Sequence, residues 1–212
     1  SFLGLAGNQE ALGQGKRFID EDLNRTWTER NLKKEAPESH EQKEMWEIIE
    51  VLKEYSKDEF SERYFVDCHT TSSDSLPYIS VQEVGDNDNF AHKFPVNIVR
   101  GFSDIVDGSI DKYFSKQGFT GFTFEAGQHE SEASLAHQEA IIWLALKEAN
   151  ELEVRAVPQF SVILRSFQKV FPLFVRSNET AQYMAFLLPN RHTFHSQATS
   201  SSNPIEPNRF VE

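Results

Sequence analysis

Two arginines, Arg17 and Arg25, bracket the acidic run Asp20-Glu21-Asp22 in the stretch GKRFIDEDLNRTW, with Asn24 beside the second. A guanidinium presents a rigid two-pronged donor fork that matches a planar carboxylate, which lysine cannot do. Arginine at both positions therefore fits recognition of an anionic ligand. The same residues also fit surface pairing with Asp20, Glu21 and Asp22, and the spacing alone favours that plainer reading.

Three further side chains could do chemistry. In VDCHTT, Asp67 and His69 lie two apart on a strand and share a face, where a carboxylate can orient an imidazole for metal binding. The alternative is a core histidine satisfied by backbone. Glu125, in TFEAGQ, closes an apolar strand, where a dry setting raises a carboxyl pKa and suits a general base; a strand-end glutamate in water is the competing reading. Cys68 and His69 are adjacent on the strand, so they point to opposite faces and make a poor nucleophile pair. His192 and His195 follow Pro189 and read as a solvated loop, while His129 and His137 flank a helix start and read as facing water. Neither a G-x-S-x-G elbow nor a P-loop occurs.

The elements that must position these groups alternate. SFLGLAG reads as an apolar strand already under way at Ser1, which suggests that the chain begins inside a domain whose first strand and helix are missing. Asn8 to Arg30 reads as a long functional loop. A helix follows, with Ser39 and Gln42 as a capping box and Met45, Ile48, Ile49, Leu52 and Tyr55 on one face. Strands are expected over 63–69, 76–82, 96–100 and 119–127, a weaker helix over 104–117 ending at Gly118, and a long helix over 131–152. Leu135, Ile142, Leu146 and Ala149 form its inner stripe. Apolar strands separated by helices imply an α/β domain, with a mixed, mostly buried β-sheet flanked by helices. Ligands in such sheets sit beyond the carboxyl ends of strands, where His69 and Glu125 fall. That domain covers 1–152, followed by a small β-rich segment over 153–195 and a loose Ser/Pro/Asn-rich tail over 196–212.

With 212 residues, 39% hydrophobic and 25% charged, the composition is that of a globular chain. A net charge of -12 leaves no basic stripe for nucleic acid. No run of 18 apolar residues is present, so no membrane partner is expected. The single cysteine excludes an internal disulfide and fits a reducing, cytoplasmic compartment. A homodimer is left open.

GNQEAL, then RFIDEDLNR, then a strand ending DCHTT, then a strand ending FEAG, together resemble the succinylglutamate desuccinylase/aspartoacylase family, a branch of the zinc-carboxypeptidase-like hydrolases. The likeness spans 1–152, and RFIDEDLNR is its most specific block. It implies a zinc-dependent deacylase acting on an acidic N-acyl amino acid, with His69 as the third zinc ligand and Glu125 as general acid/base. Arg17 would polarise the scissile carbonyl, Asn24 and Arg25 would bind a substrate carboxylate, and Asn8 would shape the pocket. The family's first two ligands form a His-x-x-Glu pair ahead of the Asn-led loop; none precedes Asn8 here, so those ligands are expected upstream of Ser1. A metal-less carboxylate-binding relative and a carboxypeptidase-like hydrolase of another small amide are the alternatives.

Overall fold

YFVDCHTT forms a strand whose Phe65 enters one core and whose Val66 and Cys68 enter another. The computed structural model describes residues 2–60, 62–149 and 183–187. In it β1 is Phe2–Ala6, β2 Tyr64–Thr71, β3 Tyr78–Ser80, β4 Asn97–Val99, β5 Thr120–Gln128 and β6 Tyr183–Leu187. The helices are α1 Gln9–Gly13, α2 Glu29–Leu32, α3 His40–Lys53, α4 Asn87–Ala91, α5 Phe102–Ile105, α6 Ile110–Lys116 and α7 Glu132–Glu148.

The strands form one sheet in the order β1-β6-β2-β5-β3-β4. β2 and β5 run parallel at its centre, as do β3 and β4, while β1–β6, β6–β2 and β5–β3 are antiparallel. Phe65 of β2 packs with Leu3, Leu5, Met45, Ile48, Ile110 and Phe114 on the face covered by α3 and α6. Val66 and Cys68 join Phe122, Phe124, Ala126, Ile141 and Leu144 on the opposite face, under α7. A mixed, largely buried sheet between helices is the α/β layering that the strand–helix alternation implies. No described helix is long and apolar enough to cross a membrane.

The Asn8–Arg30 stretch is not all loop. It holds α1, a 3-10 turn over Leu23–Arg25 and α2, each too short to leave a helical stripe in the sequence. Local side chains make these turns: Asp22 accepts from the Asn24 amide and Thr28 from the Asn31 amide. The 104–117 helix is in fact two, α5 and α6, broken near Gly108. That residue has φ 74, and a Cβ there would lie 2.2 Å from the Arg25 carbonyl oxygen. Gly118, at φ 76, does end α6.

Ser39 caps α3 as expected, accepting from the Gln42 amide at 3.1 Å. The return bond of the box goes one residue early, with Gln42 Oε1 accepting from the Glu38 amide at 3.0 Å. On α7 the inward residues are Ala136, Ala140, Ile141, Leu144 and Ala145, while Leu135 is 40% exposed. α7 is apolar on more than one side, so no unique stripe was readable, and the alanines let it approach the sheet closely. Ala149 is buried, and Ile142 and Leu146 pack partly buried against the same core. Of the 153–195 segment only Tyr183–Leu187 is described, as β6. The rest of it, the tail over 196–212, and His192 and His195 lie outside the described residues.

Candidate active site

Register alone brings a row of three polar side chains to one place. The parallel β2–β5 ladder sets His69 opposite Glu125, and the antiparallel β5–β3 ladder sets Glu125 opposite Tyr78. Directly opposed residues share a face, so imidazole, carboxylate and phenol stand side by side at the carboxyl ends of β2 and β5. Tyr78 was not singled out from the sequence. LPYISVQ shows a strand but not its partner, and only the register places its tyrosine beside Glu125.

Asp67 is fully buried, and its Oδ2 lies 2.9 Å from His69 Nε2. Burial works against a charge on His69, but the Asp67 carboxylate, with Glu125 and Asp111 helping, outweighs it and pushes the imidazole up to about 9. Burial raises the Glu125 carboxyl, opposed by the charges of His69 and Arg17. Its Oε2 is buried without a hydrogen-bond partner among the described residues. The start of α7 fixes both strand ends: Gln138 Nε2 donates to the His69 carbonyl at 2.6 Å and His137 Nδ1 to the Ala126 carbonyl at 2.8 Å. His129 Nδ1 lies 2.7 Å from Thr70 Oγ1. His129 and His137 are therefore half-buried braces of the strand ends rather than solvated side chains.

The arginines sit on the segment between α1 and α2. Arg17 is exposed and grips Asp22 Oδ2 through Nη2 at 2.6 Å and Nε at 3.2 Å, yet its charge still reaches Glu125. This is the surface pairing that spacing favoured, made next to a candidate general base. Arg25 is exposed, with Nη1 on the Asn24 carbonyl at 2.6 Å. Asn24 Oδ1 accepts from the Ile110 amide at 2.8 Å, capping α6 from a distant segment and leaving its Nδ2 as the group that can donate to an anion. The Trp27 amide donates to the Gly108 carbonyl at 3.0 Å, tying the end of this loop to the start of α6.

Asn8, with φ 53, is buried and serves this loop from beneath. Its Nδ2 donates to the Arg17 carbonyl at 3.3 Å and to Glu41 Oε1 at 3.1 Å. Both contacts support backbone and carboxylate, so Asn8 braces Arg17.

A carboxylate-backed imidazole is one corner of a hydrolytic zinc site, which needs three protein ligands. His69 with Asp67 fits that corner. Among the described residues no group of three His, Cys, Asp or Glu side chains is arranged to hold a metal, so they do not complete the set.

A family model described as the succinylglutamate desuccinylase/aspartoacylase catalytic domain matches residues 1–144. No curated protein and no solved structure matches the chain.

Proposed function

Because the chain belongs to the succinylglutamate desuccinylase/aspartoacylase family of deacylating hydrolases, we propose that it hydrolyses the linear amide of an acidic N-acyl amino acid, of the N-succinylglutamate or N-acetylaspartate type. The observation that carries this reading is the direct pairing of His69 with Glu125 at the strand ends, within reach of the Arg17 charge.

In this reading Glu125 accepts the proton of the attacking water as the new C–O bond forms. It then gives that proton to the amine as the C–N bond breaks, and its raised carboxyl suits both steps. Arg17, exchanging Asp22 for substrate, donates to the carbonyl oxygen as it gains charge, which stabilises the transition state above the ground state. Arg25 and the Asn24 Nδ2 hold the substrate carboxylate. Zinc is part of the proposal, with His69 as its ligand, and when bound it would supply a water of pKa about 7.

The test is a panel of N-acyl amino acids incubated with the purified protein, reading primary-amine release and zinc content together. Release from acidic substrates with close to one zinc per chain supports the proposal. Release from neutral amides or peptides in preference would move the protein to a carboxypeptidase-like activity. Carboxylate binding without zinc or turnover would select the metal-less relative.

A further inference from the structure

The loop that carries the arginines is organised around an anion of its own. Glu41, the second residue of α3, is 0% exposed. A buried carboxylate is costly unless its oxygens are satisfied, and no described cation pairs with this one. Instead, Oε1 accepts from Asn8 Nδ2 at 3.1 Å and the Ile19 amide at 2.7 Å. Oε2 accepts from the Asp20 amide at 3.1 Å and the Glu21 amide at 3.2 Å. Consecutive backbone N–H groups converging in this way form an anion-binding concavity, here filled by a side chain of the same protein.

The loop answers in kind. Asp20 Oδ2 accepts from the His40 amide at 2.8 Å, and Glu21 Oε1 accepts from Ser39 Oγ at 2.5 Å and Gln42 Nε2 at 2.8 Å. Two of the three acidic residues between the arginines are thus spent on the first turn of α3. The third, Asp22, holds Arg17 and caps the 3-10 turn that carries Asn24 and Arg25. Arg17 lies two residues before the clamped amides and Arg25 four after them, so Glu41 holds the backbone between the two arginines.

We infer that Glu41 is a positioning residue: its carboxylate, gripping Ile19, Asp20 and Glu21, preorganises the Arg17–Arg25 loop to receive a substrate carboxylate. The inference rests on the proposed function for the identity of the ligand, though not for the ordering of the loop. It touches no reacting atom and acts only through the loop.

Glu41→Gln tests it at constant volume, because an amide nitrogen would face two N–H donors where an oxygen accepted them. Amide exchange at Ile19, Asp20 and Glu21, read by NMR, should quicken by roughly tenfold or more while exchange in β2 and β5 stays slow. KM for an acidic substrate should rise by a similar factor, and kcat should change less. Glu41→Asp, which keeps the charge but shortens its reach, should fall between the two, and it serves if the first variant does not fold. Exchange at those amides as slow as in the wild type, in a folded variant, would overturn the inference. So would quickened exchange with an unchanged KM, since the loop's order would then not matter to the substrate. If the wild type turns over no acidic N-acyl substrate, the proposed function falls, and KM is replaced by the dissociation constant of succinate. An unchanged constant in Glu41→Gln, or no succinate binding by the wild type, then overturns the positioning role.

Discussion

His69 and Glu125 are direct partners across the central parallel ladder. Neighbouring strands lie about 4.8 Å apart, so a half-buried carboxylate and a carboxylate-backed imidazole project together from one face of the sheet. The imidazole is tied to the buried Asp67 carboxyl by a 2.9 Å hydrogen bond. Glu125 has no such fixed duty: one of its oxygens is buried and unpartnered among the described residues.

Replacing that carboxylate isolates its role. Glu125→Gln keeps the side-chain size but removes proton transfer, and kcat should fall by about 10²–10⁴. Thermal stability and metal content should stay close to wild type. Turnover assays paired with elemental analysis check this; loss of metal along with activity would make Glu125 a ligand rather than an acid/base.

The proposed function gives Asn24 a second job, on Nδ2, beside the contact that its Oδ1 makes with the Ile110 amide, and substitutions separate the two. Asn24→Ala removes the Oδ1 that accepts from the Ile110 amide, and should cost about 1 kcal/mol, as loss of a helix cap does. Asn24→Asp keeps an acceptor there and should preserve the melting temperature. It replaces the Nδ2 donor with a negative oxygen, so KM for an acidic substrate should rise steeply. A calorimetric melt beside a KM measurement reads both, and an unaltered KM in Asn24→Asp would remove Asn24 from the substrate.

Arg25 tests whether geometry or charge alone matters. Arg25→Lys keeps the positive charge but loses the fork, and at this exposed position it should leave stability within about 0.5 kcal/mol. KM for a substrate carboxylate should nevertheless rise about tenfold if the grip is bidentate. Steady-state kinetics decide it, and an unchanged KM would make Arg25 a solvated charge.

Much of this was legible in the sequence, and what was not shares a cause. The strands around Asp67-Cys68-His69 and Phe124-Glu125 were readable because burial on both faces leaves continuous apolar runs. RFIDEDLNR was recognisable as a block, but the division of labour within it was not. Asp20, Glu21 and Asp22 look alike in a sequence, and only the approach of α3 gives each a separate partner. Glu41 was invisible for the same reason, since an acidic residue in the first helical turn ordinarily suggests no more than a favourable dipole. Tyr78 needed the strand register, and the α5–α6 break needed the close approach of Gly108 to Arg25, a contact across more than eighty residues.

The clamp should also be visible in the pH dependence of stability. Burial alone would raise the Glu41 carboxyl, but the amides of Ile19, Glu21 and Asp20 and the Asn8 side chain outweigh it and hold the group below its ordinary 4.5. A carboxyl lowered in the folded state binds its proton more weakly there than in the unfolded chain. Its contribution is therefore complete above about pH 4.5 and is lost as the pH falls through the lower folded value. The charged residues tied into the clamp are Asp20 and Glu21 on the loop, each bonded to the start of α3, and His40 on α3, which has Glu10 and Glu44 beside it. Glu44 runs the other way: burial raises its carboxyl, so its own effect on stability favours the protonated form and opposes that of Glu41 as the pH falls. The comparison must therefore be made between proteins that share every group but one. Urea unfolding of the wild type and Glu41→Gln should show a stability gap that is constant from pH 7 to about 5 and narrows below about 4.5. A gap that stays constant down to pH 3 would mean that the Glu41 carboxylate is not what the loop amides are holding.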